Sequence, residues 1–401
     1  MCLMAFEISA LRWRSALLAA LALAAAGCSG IDGQRRTAQP GRQHTLIADV
    51  AIMKGEPMAV SVRYGRDDWA VLLVEKASGK LKGCFTAVPD GRLDIANWLL
   101  PNKEVVLLAT SFAESAQPAP KVALFAVDPS SLRLTRLRPD LPATSEVMGS
   151  FSMANVKGAD CSPNGKWFGC DLLDLNPEGT AVVWQVFLVP VGGGKPIACL
   201  KGQTLLGLFS GDNPGELRLL GKAWGNPRGH PARWRHQLIL TRWPGGRSTR
   251  LGEPWEQGPT EPHIVVGHQY AVLAYPLDRS DSRIEIRSTE DNALVASLHL
   301  GFQAARLRWV TRDKQVLCLS QKRLAEVTVP DGQIASRSVQ GLEGKLMQTA
   351  GAVKRGAPLL VATTRALWWL DWENGTAKRF WQPPSRLPES CRQLDPRTGR
   401  K

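Results

Sequence analysis

The chain lacks most of the patterns that announce chemistry. It has eight cysteines in 401 residues, but no C-x-x-C to complete a ligand set with its histidines, so no zinc pattern is present. There is no D-x-D-x-D-G calcium loop. Gly165-Lys166 and Gly194-Lys195 lack the spacing and the following Ser or Thr of a phosphate loop. Gly207-Leu208-Phe209-Ser210-Gly211 is one residue out of step with the G-x-S-x-G nucleophile elbow, and it falls in an expected strand rather than a strand-to-helix turn. After the first thirty residues no apolar run approaches the roughly twenty residues of a membrane span. These absences argue against metal-ion and nucleotide-phosphate chemistry, and no cofactor or metal is expected.

What is present reads as a folded, turn-rich chain. Hydrophobic residues make up 44% and charged residues 21%, a globular rather than a disordered balance. Glycine (37) and proline (27) argue for many turns and few long helices. Lysine and arginine outnumber aspartate and glutamate by 50 to 36. A basic chain is always open to nucleic acid, but the leader makes export the expected fate, so no nucleic-acid partner is expected.

That leader begins with Arg12 and Arg14, followed by the apolar run Leu17 to Ala26. The run is too short to span a bilayer and ends in small residues, as a secretory signal does. Its end, Ala25-Ala26-Gly27-Cys28-Ser29, resembles the lipobox of bacterial lipoproteins, with alanine where leucine is commoner. The resemblance implies cleavage before Cys28 and a lipid on that cysteine. With Ser29 rather than aspartate following, it also implies outer-membrane rather than inner-membrane sorting. The expected organisation is a signal peptide over 1–27, a flexible tether over 28–43, a folded body over 44–384 and a basic, loosely attached tail over 385–401. The body is expected to be soluble and extracytoplasmic. Six cysteines remain after Cys28, five in the body and Cys391 in the tail, and disulfides are permitted in an exported chain. Cys161 and Cys170 flank one expected hairpin and are within reach of each other or of Cys199. Spacing alone does not choose a pairing.

Repetition sets the fold. A short apolar strand, a Gly/Asn/Asp turn and a second strand recur about seven times, roughly 40 to 60 residues apart. Examples are Arg283 to Ser288 before Asp291-Asn292, Arg323 to Pro330 before Asp331-Gly332, and Ala366 to Glu373 before Asn374-Gly375. Asn-Gly and Asp-Gly tolerate the positive φ that tight hairpins demand. Asp160-Cys161-Ser162-Pro163-Asn164-Gly165-Lys166-Trp167 resembles the turn between the first two strands of TolB-like and WD40-like propeller blades, and Thr311-Arg312-Asp313-Lys314 is a worn copy. The expected fold is an all-β propeller of seven four-stranded blades, with six or eight as alternatives. A strand near Leu46 to Met53 should close the ring beside the last blade. A pair of β-sandwiches would need a mid-chain linker, and none is visible.

The most unusual stretch is Lys222 to Arg250, rich in arginine and tryptophan and free of acids. Arginine forks pair with carboxylates and phosphates, and tryptophan faces stack on sugars or cations. Trp224, Arg228, Arg233, Trp234, Arg235, Arg242 and Trp243 are therefore the candidate ligand-binding residues, for an anionic glycan, a lipid head group or an acidic protein surface. His263 and His268 lie about one strand apart and are placed to point at a channel. Asp278 with Asp281, and Asp171 with Asp174 and Glu178, read as loop-solvating carboxylates. The function expected is an envelope lipoprotein that holds a membrane through its lipid and a protein partner through its propeller. The alternatives are a glycan-cleaving hydrolase or lyase at the channel mouth, or a small-solute sensor. A non-enzymatic role is favoured.

Overall fold

The computed structural model describes residues 45–394, except the segments 52–56, 66–67, 88–90, 100–104, 112–120, 129–130, 139–158, 163–165, 176–181, 191–193, 196, 212, 214, 226–234, 257–260, 279 and 351–352. The leader, Cys28, the tether and residues 395–401 lie outside the described residues.

The described residues form strands only, gathered into seven sheets, six of four strands and one of five. The first sheet holds β1 (Thr45–Ala51), β2 (Met58–Tyr64), β3 (Asp68–Val74) and β4 (Leu81–Ala87). The second holds β5 (Gly91–Leu99), β6 (Val105–Ser111), β7 (Lys121–Val127) and β8 (Leu134–Arg138). The third holds β9 (Ala159–Cys161), β10 (Trp167–Leu175), β11 (Val182–Pro190) and β12 (Ile197–Lys201). The fourth holds β13 (Gln203–Ser210), β14 (Leu217–Gly225), β15 (Arg235–Trp243) and β16 (Ser248–Glu256). The fifth holds β17 (His263–Val266), β18 (Tyr270–Pro276), β19 (Ser282–Ser288) and β20 (Leu294–His299). The sixth holds β21 (Arg306–Thr311), β22 (Gln315–Leu319), β23 (Arg323–Thr328) and β24 (Ile334–Ser338). The seventh holds β25 (Leu346–Ala350), β26 (Leu359–Thr363), β27 (Leu367–Asp371) and β28 (Thr376–Trp381). Within each sheet these strands follow chain order and pair antiparallel. The last strand, β29 (Arg392–Leu394), runs back to the first sheet and pairs parallel with β4.

The first strands of the sheets are neighbours: β1 with β5, β5 with β9, β9 with β13, β17 with β21, and β25 with β1. Such an order places one edge of every sheet at a common axis, the arrangement of a propeller. Middle strands are buried along most of their length, from Ala70 to Val74 in β3 and throughout β26. Outer strands such as β20 and β24 are largely exposed. Burial on both faces explains why the apolar runs barely alternate, and each buried valine or leucine contributes roughly 1.5–3 kcal/mol. The cores sit between sheets. Ile47, Val60, Val62 and Leu72 of the first sheet pack with Leu360, Ala362 and Leu367 of the seventh.

Turn chemistry falls where the residues demand it. Gly375 (φ 71°) sits in the turn before β28, against the carbonyl of Ser338 at the end of β24, where a Cβ would collide with that oxygen. The Gln340 N–H donates to the Gly375 carbonyl (2.8 Å), so this turn also ties the sixth sheet to the seventh. In the Ser162 turn, between β9 and β10, the Trp167 N–H donates to Ser162 Oγ (2.9 Å) and the Ser162 N–H to the Trp167 carbonyl (2.8 Å). The Ser162 turn and its worn copy at Thr311 to Lys314 both lie between the first two strands of their sheets.

Two expectations are corrected. The chain beyond Pro384 is not loosely attached up to Leu394. Cys391 forms a disulfide with Cys84 of β4, 307 residues away in sequence, Leu387 packs on the seam between the seventh and first sheets, and Leu394 is buried. The first sheet therefore has five strands, because the tail adds itself to an open edge. The second correction concerns Cys199, which is a free thiol and so pairs with neither Cys161 nor Cys170; the side chains of those two lie outside the described residues. The strand near Leu46 does lie beside the last sheet: the Ile47 N–H donates to the Thr364 carbonyl (3.2 Å).

Candidate functional site

The arginine–tryptophan stretch spans a hairpin, and its strands decide which residues can meet. Gly225 is paired with Arg235 at one end of the β14–β15 ladder, and Leu217 with Trp243 at the other. A nine-residue strand extends about 26 Å at ~3.3 Å per step. Trp224 and Arg235 thus stand at the end that carries the 226–234 connection, while Arg242 and Trp243 stand at the opposite end. The seven residues do not form one patch. Arg228, Arg233 and Trp234, and the side chain of Trp224, lie outside the described residues. Arg235 is exposed. Trp243 packs edge-on against Trp167 of the third sheet, with ring centroids 5.0 Å apart, and belongs to the core between the two sheets.

The first strands bring together a different group. His263 opens β17 and Arg306 opens β21, at the same end of adjacent axial strands. Arg306 donates to the carbonyls of Ala305 (2.8 Å) and Met347, tying the sixth sheet to the seventh. Burial, and then the Arg306 charge, push His263 down to about 4, against a smaller opposing pull from Glu261. His263 is therefore neutral near pH 7. Glu261 is held by Lys222 Nζ at 2.8 Å. Two residues further along β21, burial lowers the pKa of Arg308. The described charged groups at this end of the axis are thus mainly basic. Neither Arg306 nor Arg308 was singled out from sequence. The signal was two arginines alternating with apolar residues in Arg306-Leu307-Arg308, a pattern that puts both on one side of a strand.

The remaining candidates are structural. His268 does not open a channel strand; it sits in the turn between β17 and β18, and Arg312 Nη1 lies 2.9 Å from its Nε2. Asp278 accepts from the Ser280 N–H and hydroxyl and from the Asp281 N–H (2.6, 2.7 and 2.9 Å), with the Ser280 hydroxyl the main cause of its lowered pKa. Burial raises the pKa of Asp281, but hydrogen bonds from His299 (2.7 Å), Gly301 (2.9 Å) and Ser282 (2.7 Å) outweigh it and hold the carboxyl low. Among the described residues no three His, Cys, Asp or Glu side chains gather as metal ligands. The side chains of Asp171 and Asp174, and all of Glu178, lie outside the described residues. Ser210 ends β13, a first strand, as its sequence context suggested.

A polar cavity of about 360 Å³ lies at the sixth and seventh sheets, lined by Gln315, Glu326, Arg337 and Arg355 among others. The nearly buried Glu326 accepts from Gln315 (2.6 Å), Arg337 (2.6 Å) and Arg355 (2.9 Å). Arg355 also reaches Glu373 (3.3 Å) and stacks over Trp372. Sequence reasoning missed this group because its members come from separate turns and strands.

No protein-family model matches the chain, and no curated protein matches it. Solved structures do. The chain is similar to the β-propeller domain of the trilobed protease from Pyrococcus furiosus, with a TM-score of 0.50 and 8% identity, over 84% of this chain and 96% of that one. It is also similar to an oligogalacturonate lyase solved with manganese (0.49, 9% identity, 85% and 86% covered). A third neighbour is the acylaminoacyl peptidase of Pyrococcus horikoshii (0.49, 9%), where the match covers 84% of this chain but only 52% of the peptidase, about half its length. At 8% identity the likeness to the trilobed protease propeller speaks for fold alone; with the sheet order it shows an all-β propeller, built mainly of four-stranded sheets.

Proposed function

We propose that the protein is a lipid-anchored envelope lipoprotein whose propeller, read as seven blades with one per sheet, serves as a binding or assembly scaffold for a protein partner. The observation that carries the reading is the Cys84–Cys391 disulfide behind a secretory leader. Disulfides persist in oxidising compartments outside the cytoplasm, which agrees with export, and the Ala25-Ala26-Gly27-Cys28 run supplies the lipid site. The propeller then sits at a membrane surface, the outer membrane under the Ser29 sorting rule, with its exposed rim available to a partner.

The axial end described above supports binding over catalysis. A histidine that protonates only near pH 4 is a poor proton shuttle at neutrality. Glycan cleavage calls for two carboxylates facing across the site, and Glu261 is tied to Lys222. The basic groups there suit an anionic or acidic partner, and the Arg235 end of the β14–β15 hairpin extends that surface. A second reading, a sensor of a small polar solute, draws on the 360 Å³ cavity at Glu326.

The test is metabolic labelling with a fatty acid, followed by crosslinked pull-down from the native envelope. Label on the protein that disappears in Cys28→Ala, with a stable protein complex recovered, is the expected result. Label that persists without Cys28 removes the anchor. Recovery of no partner moves weight to the sensor or the enzyme.

A further inference from the structure

The C-terminal segment is strongly lopsided in charge. Between Thr376 and Lys401 there are seven lysines and arginines and two acids. The structure shows how the described part is held. β28 is the outer strand of the seventh sheet, and it exposes Lys378 and Arg379. Phe380 and Trp381 of the same strand pack against the seam with the first sheet. The chain then crosses that seam with Arg386 exposed, locks through Cys391 to Cys84, and ends in β29 on β4. Arg392 lies over the Phe85 ring and donates to the Leu132 carbonyl (2.8 Å), which ties the strap to the second sheet. These basic side chains are therefore mounted on a fixed element.

The strap also meets the start of the propeller. Thr45, the first residue of β1, donates its hydroxyl to the Ser385 carbonyl at 3.2 Å, next to Arg386. The tether to Cys28 therefore joins the propeller beside the strap. Exposed Lys76 and Lys80, in the turn of the first sheet that leans on Trp381 through Gly79, add to the same rim. The acids nearby are few: Glu389 is exposed, Glu75 is engaged by Ser78 and Lys82, and in the β27–β28 hairpin Asp371 is engaged by Asn374 and Glu373 by Arg355.

We infer that the strap, with Lys378, Arg379 and Arg386, is an electrostatic dock for the anionic head groups of the phospholipid surface that the tether reaches. The inference rests on the lipid-anchor reading, because the anchor brings this rim to a bilayer. An acyl anchor holds the chain near the surface, and a basic patch adds an independent, salt-sensitive attraction that sets the propeller's orientation.

The test uses the chain from residue 28 onward with Cys28→Ala, so that no acyl chain contributes, and vesicles of phosphatidylcholine with or without about 30% phosphatidylglycerol. The expected result is salt-sensitive binding to the anionic vesicles only. Lys378→Gln, Arg379→Gln and Arg386→Gln together should weaken it roughly a hundredfold, about fivefold per side chain. The control carries Lys195→Gln, Arg250→Gln and Lys314→Gln, exposed positions on the third, fourth and sixth sheets with the same change in net charge. It should bind as the parent does. Circular dichroism and thermal unfolding check that each variant is folded. Absence of parent binding to anionic vesicles, or an equal loss in the control, overturns the dock. Neither outcome touches the anchor, which is read separately by fatty-acid labelling at Cys28.

Discussion

At the seam between the seventh and first sheets the ring is closed by apolar packing and a covalent bond. At the seams flanking the fifth sheet apolar packing is joined by charged side chains that grip backbone. There the turn between β17 and β18 is clasped from both sides. From the fourth sheet, fully buried Arg218 donates to the carbonyls of Gly267 (3.1 Å) and His268 (2.6 Å). From the sixth, the Asp313 carboxylate accepts from the N–H groups of His268, Gln269 and Tyr270 (2.8, 3.1 and 3.0 Å). One turn thus couples three consecutive sheets. Among the described contacts the closing seam shows no clasp of this kind. It joins the two ends of the chain, so its failure opens the ring, and there the structure places Ile47, Leu72 and Leu360 in the core and the Cys84–Cys391 bond at the rim. Neighbours in sequence are kept in register by local polar contacts, whereas the ends of the chain need a long-range restraint.

The largest effect should come from that restraint. The double variant Cys84→Ser, Cys391→Ser should lose about 4 kcal/mol of unfolding free energy, within the usual range for a disulfide, as measured by denaturant titration. Protease cleavage should then begin at the 382–394 strap. A loss no larger than that of Arg218→Met would erase the contrast between the seams.

Arg218→Met keeps the length of the side chain but leaves the Gly267 and His268 carbonyls and Thr289 without this donor. Stranding buried polar groups should cost about 3 kcal/mol. Hydrogen exchange should rise first at residues 267–270 and leave the strap protected. Exchange rising at the strap instead would show that the seams do not act independently.

The smallest effect is a pH dependence near the axis. His263 is pushed from 6.5 to about 4, so between those values the unfolded chain binds a proton that the folded chain refuses. Stability from this group is complete above pH 6.5 and falls as the pH drops towards 4. The full span is worth about 2 kcal/mol after allowance for partial exposure. His263→Gln should flatten the stability profile in that window. An unchanged slope would place the titrating group elsewhere.

The halves of this comparison were unequally legible in sequence. Hairpins such as β23–β24 and β27–β28 could be located to within about two residues, because Asp331-Gly332 and Asn374-Gly375 satisfy a local backbone requirement. Asp313 was visible as part of a worn turn motif, but its acceptor role depends on a turn 43 to 45 residues earlier in the chain. The strap was read as a loose tail because β29 is a three-residue strand, too short for any periodicity, and because Cys84 and Cys391 are 307 residues apart. The arginine–tryptophan stretch reads as one patch because its members are close along the chain, although the intervening strand length separates Arg235 from Arg242 and Trp243.

The most direct test of ring closure by the strap is a tryptic map of the purified protein under non-reducing conditions, with free thiols alkylated first in denaturant so that buried Cys318 is reached. The structure calls for a cross-linked species joining the Cys84 peptide to the Cys391 peptide, released by reductant, with Cys199 and Cys318 alkylated. Recovery of Cys84 and Cys391 as alkylated thiols, or joined to other cysteines, would contradict it.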